Sequence, residues 1–128
     1  MLPKKTKAVI FDFNGVIVDD FELQKSAWNE IFVSLGKPSV TNTQMRSIRG
    51  IATKNVIREM IDKNLTDEEV ALYAKRKENI INNLFNTSPL FKLNTGLEEF
   101  LDNLKASGFL LNIATSSIKD PFKISYDR

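Results

Sequence analysis

Four polar residues stand where two apolar segments of this sequence end. Asp12 and Asn14 close the first segment, and Thr115 and Ser116 close the second. An aspartate in such a place can act as a covalent nucleophile toward a phosphoryl group, provided that a divalent cation neutralises the clustered charge. A nearby hydroxyl and backbone N–H groups can hold the transferred oxygens. These residue types therefore indicate phosphoryl transfer.

The composition excludes several other kinds of chemistry. The sequence contains no cysteine and no histidine. Disulfides, thiolate nucleophiles, zinc sites built from Cys and His, and Ser-His-Asp triads are therefore impossible. What remains is the chemistry of carboxylates, hydroxyls and lysines with hard metal ions.

Length and charge limit the class of protein. The 128 residues fit one compact domain, or a small domain with an inserted subdomain, and the net charge is +2. Acidic and basic residues are interleaved, so a nucleic-acid partner is not expected. No segment approaches the roughly 20 apolar residues that cross a bilayer, and the basic start lacks a cleavage site. We expect a cytoplasmic protein with no membrane partner.

Apolar periodicity predicts two strands separated by helices. A change from strand-like to helical spacing begins at Asp20, and T-D-E-E at residues 66–69 has the pattern of a capping box. The predicted elements are a strand at 8–13, helices at about 20–35, from 41 or 42, at about 52–63, from Thr66 to about Phe85 and from Leu97 to Gly108, and a strand at 109–115.

This order predicts an α/β fold. Two parallel strands need a crossover, and about 75 residues of helices before the last helix is long enough to form an inserted, all-helical cap. We predict a cap over residues 20–90 and an α/β core made of 1–19 and 91–128. Ligands of such sheets bind beyond the carboxyl ends of the strands, where all four polar residues would meet.

Plainer interpretations of the same residues remain open from pattern alone. Asn14-Gly15 between two alternating apolar runs is also a strong signal for a β-hairpin. Thr115 could simply end a strand and cap the next helix. Arg49 and Lys77 could be solvated surface charges.

The quoted segments resemble a known family. V-I-F-D-F-N-G-V-I-V-D-D (9–20) resembles the first motif of the haloacid dehalogenase-like (HAD) superfamily, and L-N-I-A-T-S-S (111–117) resembles the second. I-R-G-I-A (48–52) and A-K-R-K-E-N (74–79) resemble cap segments of the β-phosphoglucomutase and phosphoglycolate-phosphatase branch. The resemblance favours a nucleophile loop over a hairpin, and implies a partial Rossmann-like parallel sheet core with a helical cap.

The resemblance also implies roles for the core residues. Asp12 would be the nucleophile that becomes an aspartyl phosphate, and its carboxylate would ligate Mg2+ together with the backbone carbonyl of Asn14. Gly15, Thr115 and Ser116 would bind the phosphoryl group. The implied activity is a phosphatase acting on a small phosphorylated metabolite.

In the cap, Arg49 and Lys77 lie in segments that face the substrate in this branch. Gln24 stands where the mutase branch carries a histidine, which disfavours a mutase.

Asn14 replaces the aspartate that protonates the leaving group, and such acid/base help is worth roughly 100-fold to 10,000-fold in rate. We therefore expect the reaction to be impaired.

The family's later lysine and acidic pair lie beyond its second motif, whereas this sequence stops at Arg128. The sequence therefore predicts a truncated member, in which Mg2+ binding is weak or absent because too few oxygen ligands remain.

Two parallel strands do not make a stable sheet, and an open edge invites pairing with another chain. We expect a homodimer or another self-associated form, and the alternative function is a noncatalytic remnant or interaction protein.

Overall fold

The computed structural model describes residues 5–115, which contain two strands and five helices. Each predicted element is present, in the predicted order, and the α/β fold class is confirmed. The element bounds are β1 Ala8–Asp12, α1 Phe21–Ser34, α2 Asn42–Ser47, α3 Thr53–Met60, α4 Asp67–Thr87, α5 Leu97–Ala106 and β2 Leu110–Ala114.

The two strands are parallel neighbours. Asp12 lies opposite Ala114, so both strands end at the same edge of the sheet. The hairpin alternative is wrong, because β1 pairs with β2 rather than with the residues that follow Gly15. Those residues form a tight turn in which the carbonyl of Phe13 accepts the N–H of Ile17 at 2.9 Å and that of Val18 at 3.2 Å.

Alternation along β1 explains how the sheet is covered. Phe11 is buried and, with Val9 beside it, packs against Leu97 and Leu104 of α5. The side chain of Ile10 points to the opposite face and is 67% exposed. Helix α5 therefore covers one face of the sheet, while within residues 5–115 the other face stays open.

Helices α1 to α4 form a separate hydrophobic core. Its centre contains Trp28, Ile31 and Phe32 of α1. A second cluster joins α1 to α4 through Leu23, Ala27, Ile81 and Phe85. The division into a cap at 20–90 and a core on either side of it stays a prediction.

Local capping explains where two of the helices begin. Thr66 and Glu69 form the predicted capping box, in which Glu69 N–H donates to Thr66 Oγ1 at 3.2 Å and Thr66 N–H to Glu69 Oε2 at 2.8 Å. Thr41 and Gln44 form a second capping box at the start of α2. Two reciprocal hydrogen bonds let even a six-residue helix begin at a defined residue.

Across residues 5–115, none of the helices combines the length and the hydrophobicity that crossing a membrane requires.

Candidate functional site

A cleft of about 690 Å³ lies where the loop after β1 faces the helices. Five of the side chains and turn residues that the sequence singles out line it, namely Asp12, Asn14, Gly15, Arg49 and Lys77. They come from β1, its following turn, the segment after α2, and α4. The fold thus brings together residues up to 65 positions apart, while their chemical roles stay predictions.

The other two predicted residues follow β2. Thr115 is half-buried and comes one residue after Ala114, at the edge of the sheet where Asp12 lies. It is not among the described residues that line the cleft. Ser116 lies outside the described residues. The second strand therefore reaches the expected edge, and the phosphate-binding role of both residues stays a prediction.

Asp12 presents an exposed carboxylate at the end of β1. Its Oδ1 accepts the N–H of Phe13 at 2.7 Å. This hydrogen bond fixes the carboxylate against the backbone where the strand becomes the turn. A fixed, solvent-accessible carboxylate facing a cleft meets the geometric requirement for a nucleophile.

The turn after Asp12 needs a glycine for its backbone. Gly15 has a φ of +75°, in the left-handed region that residues with a Cβ seldom adopt. A Cβ at this position would lie 2.8 Å from Nη2 of Arg49. The guanidinium of Arg49 therefore sits directly over the turn, which brings a cation of the helical part next to the core.

Asn94 holds this turn from the other side. Its Nδ2 donates to the carbonyls of Gly15 at 3.2 Å and Val16 at 2.6 Å, and its backbone N–H donates to that of Ile17 at 3.0 Å. Sequence reasoning missed this residue. In N-T-G it has the pattern of an ordinary turn, and no local signal reveals a hydrogen-bond partner 79 residues away.

A chain of hydrogen bonds runs from the turn to α4. Oδ2 of the buried Asp20 accepts both Asn14 Nδ2 and Gln24 Nε2, each at 2.9 Å. Gln24 Oε1 accepts from Lys77 Nζ, which also lies 5.5 Å from the centre of the Trp28 ring. The sequence offers Asp20 only as the start of a helix, so this network was not predicted.

Burial lowers the pKa of the Lys77 ammonium to about 8, while the nearby Asp20 carboxylate acts in the opposite direction. The amine is therefore still mostly protonated at neutral pH. Lys77 and Arg49 both reach the cleft from the helical part of the molecule. Two cations that line the same cleft as the Asp12 carboxylate suit a small anionic ligand.

The oxygen ligands for a metal ion are incomplete in the described part of the chain. Asp12 and Asn14 are the predicted ligands, yet no group of three or more acidic side chains within residues 5–115 could hold a metal ion. Mg2+ requires near-octahedral coordination by oxygen. Residues 5–115 by themselves therefore do not fit a tight magnesium site.

Curated relatives include two bacterial proteins. The chain is 30% identical over 111 residues to the phosphorylated carbohydrates phosphatase of Thermotoga maritima. The matched region covers 87% of this chain and 50% of that protein. It is 28% identical over 118 residues to protein CbbY of Rhodobacter capsulatus, and this match covers 88% of this chain and 52% of that protein. The chain thus spans about half the length of the curated relatives it matches.

Two solved structures share the fold of this chain. A HAD hydrolase, family IA, variant 3, of Entamoeba histolytica superposes with a TM-score of 0.79 at 27% identity, covering 95% of this chain and 54% of that one. The β-phosphoglucomutase of Clostridium difficile superposes with a TM-score of 0.73 at 22% identity, covering 90% and 53%. The second likeness concerns the fold only.

The family model for haloacid dehalogenase-like hydrolases matches residues 9–125. The match begins in β1, passes through the whole helical part and includes β2. The resemblance carried by the sequence motifs is thereby confirmed, and the chain belongs to the haloacid dehalogenase-like hydrolase family.

Proposed function

We propose that this chain is a phosphatase of its family, impaired in its acid/base step, that acts on a small phosphate ester. The observation that carries the proposal is the cleft that Asp12 lines together with the cations Arg49 and Lys77. A volume of about 690 Å³ is that of a small-molecule site. One relative is named a phosphorylated carbohydrates phosphatase, which supports a sugar phosphate as substrate.

In the proposed reaction a carboxylate oxygen of Asp12 attacks the phosphorus atom of the ester. A bond forms between this oxygen and phosphorus, and the bond from phosphorus to the ester oxygen breaks. Water then attacks the aspartyl phosphate, which releases inorganic phosphate and restores the Asp12 carboxylate. Arg49 and Lys77 would hold the negative charge of the substrate, and the N–H groups of the turn at Gly15, with Thr115 and Ser116, would hold the phosphoryl oxygens.

Asn14 limits the rate of both steps. Its amide has no proton to give to the leaving oxygen near neutral pH, so that proton must come from water. The lost acid/base help corresponds to roughly 100-fold to 10,000-fold in rate. We therefore expect slow turnover that favours esters with a good leaving group.

Members of the family generally use Mg2+, which neutralises charge on the phosphoryl oxygens. The ligands of this chain would be the Asp12 carboxylate and the Asn14 backbone carbonyl. Because this set is incomplete in residues 5–115, we expect weak magnesium binding.

A phosphatase assay over a panel of sugar phosphates and aryl phosphates, with and without Mg2+, tests the proposal. Asp12→Asn should abolish turnover because it removes the nucleophile. Asp102→Asn, an equivalent change at an exposed position on α5, is the matched control and should leave turnover unchanged. Turnover that survives Asp12→Asn would refute the proposal.

A second candidate function is noncatalytic association with another copy of the chain. The observation that favours it is the open face of the sheet, where Ile10 is 67% and Leu110 71% exposed. Parallel sheets are normally covered on both faces. A stable dimer that shows no turnover on any ester of the panel would favour this alternative.

A further inference from the structure

Asp20 is the most deeply buried charged residue among residues 5–115, with 6% of its surface exposed. It lies between the turn after β1 and the first residue of α1. Its Oδ2 receives one hydrogen bond from each side, from Asn14 and from Gln24. A buried carboxylate adds little stability compared with an apolar residue of similar volume. Its contacts point instead to a role in orienting its neighbours.

We infer that Asp20 is a positioning residue, whose carboxylate orients the Asn14 amide beside Asp12 and, through Gln24, sets the place of the Lys77 ammonium in the cleft. Any effect of Asp20 on substrate binding rests on the proposed function. Its effect on the orientation of Asn14, Gln24 and Lys77 does not, since it concerns only contacts within the chain.

The direction of each hydrogen bond determines how the two amides are oriented. An ionised carboxylate only accepts hydrogen bonds, whereas a side-chain amide both donates and accepts. Asn14 and Gln24 must therefore turn their NH2 groups toward Asp20. Gln24 then turns its oxygen away from Asp20, and this oxygen accepts from Lys77. One acceptor thus fixes the orientation of two amides and, through one of them, the position of a cation.

Asp20→Leu removes this acceptor while roughly keeping the volume of the side chain. Asn14 and Gln24 then lose the oxygen to which both donate. Nothing at position 20 then keeps the oxygen of Gln24 turned toward Lys77. We expect Lys77 to lose its fixed place in the cleft.

Asp20→Asn should preserve the order. Both hydrogen bonds go to the same oxygen, Oδ2, so an amide at position 20 that places its oxygen there keeps both of them. The acceptor is then kept while the negative charge is lost. A difference between Asp20→Leu and Asp20→Asn therefore reports the role of the acceptor.

The side-chain amide signals of Asn14 and Gln24 in 1H–15N NMR spectra provide the first measurement. We expect Asp20→Leu to shift both signals strongly and Asp20→Asn to shift both weakly, because the amide keeps the shared acceptor. Glu22→Gln, a change at an exposed position on the helix that carries Gln24, should move neither. Unchanged Asn14 and Gln24 signals in Asp20→Leu would overturn the inference.

Binding of inorganic phosphate provides the second measurement. We expect Asp20→Leu to weaken it about tenfold, the effect of misplacing one charged contact, and Asp20→Asn to weaken it far less. An equal loss of phosphate binding in the two variants would also overturn the inference. Because neither measurement uses turnover, a failed phosphatase assay counts against the proposed function and leaves this inference to the NMR spectra.

Discussion

At the residue scale, the amide of Asn14 decides how Asp20 can be accommodated. Asn14 Nδ2 donates to Asp20 Oδ2 at 2.9 Å. An aspartate at position 14 would instead bring two carboxylates to this distance, since neither could donate while ionised. Asn14 is therefore compatible with Asp20. An aspartate at position 14, the acid/base residue typical of the family, would conflict with Asp20.

We accordingly predict that Asn14→Asp lowers the free energy of unfolding at neutral pH by about 1–3 kcal/mol, the cost of an unsatisfied and repulsive buried contact. Adding Asp20→Asn should recover part of this loss, because the amide at position 20 can donate to the carboxylate at position 14, although Gln24 then loses its acceptor. Urea denaturation of the two single variants and the double variant forms a double-mutant cycle. If the losses of the two single changes simply add in the double variant, the two side chains do not interact.

Lys77 gives a prediction for the dependence of stability on pH. Burial lowers its pKa in the folded state to about 8, against 10.5 for an ordinary lysine. Between these values the unfolded chain binds more protons, so the free energy of unfolding should rise with pH. The cost of burying the charged ammonium is fully present below pH 8 and vanishes above pH 10.5. The free energy of unfolding should therefore rise on the order of 3 kcal/mol over this range.

Denaturation of the wild type and of Lys77→Met at several pH values between 7 and 11 measures this effect. The methionine variant should lack the rise, because it carries no charge to bury. Lys75→Met, a change on the same helix at an exposed lysine, is the control and should keep it. Parallel curves for the wild type and Lys77→Met would contradict the prediction.

At the element scale, the segment before α5 holds the turn after β1. Asn94 donates to two carbonyls of the turn, and the N–H of Asp19 donates to the carbonyl of Lys92 at 3.0 Å. The side chains of Lys92 and Asp19 form an ion pair at 3.2 Å. The turn after β1 is therefore held by a segment that lies far away in the sequence.

We predict that Asn94→Asp destabilises the protein by about 1–3 kcal/mol, since a carboxylate cannot donate and would face two carbonyl oxygens. Asn103→Asp makes the same chemical change at an exposed position on α5 and should cost far less. Thermal or urea denaturation compares the two variants. Equal losses would show that the hydrogen bonds of Asn94 do not hold the turn.

The elements were predictable from sequence because their signals are local. Apolar spacing and the capping box at Thr66 indicate helix type and helix start. The meeting of Asp12, Arg49 and Lys77 was anticipated only through motif resemblance. Asp20 and Asn94 escaped prediction because their roles depend on partners that only the folded chain brings within hydrogen-bond distance.

At the scale of the whole molecule, the part of the chain from residue 5 to 115 covers the sheet on one side only. Residues at alternate positions of parallel strands share a face, so Ile10 and Leu110 lie on the side opposite α5. Ile10 is 67% and Leu110 71% exposed, which is unusual for parallel strands. Burying this face would remove apolar surface from water at a gain of about 25 cal/mol per Å².

We therefore predict that the chain self-associates through this open face, and that sedimentation velocity shows the average mass rising with concentration. Ile10→Lys should weaken the association about tenfold or more, because a buried ammonium without a partner is costly. Leu72→Lys is the matched control, since Leu72 on α4 is 68% exposed but lies away from the sheet. A chain that stays monomeric at every concentration, or an equal effect of both lysines, would show that the open face does not bind a second copy.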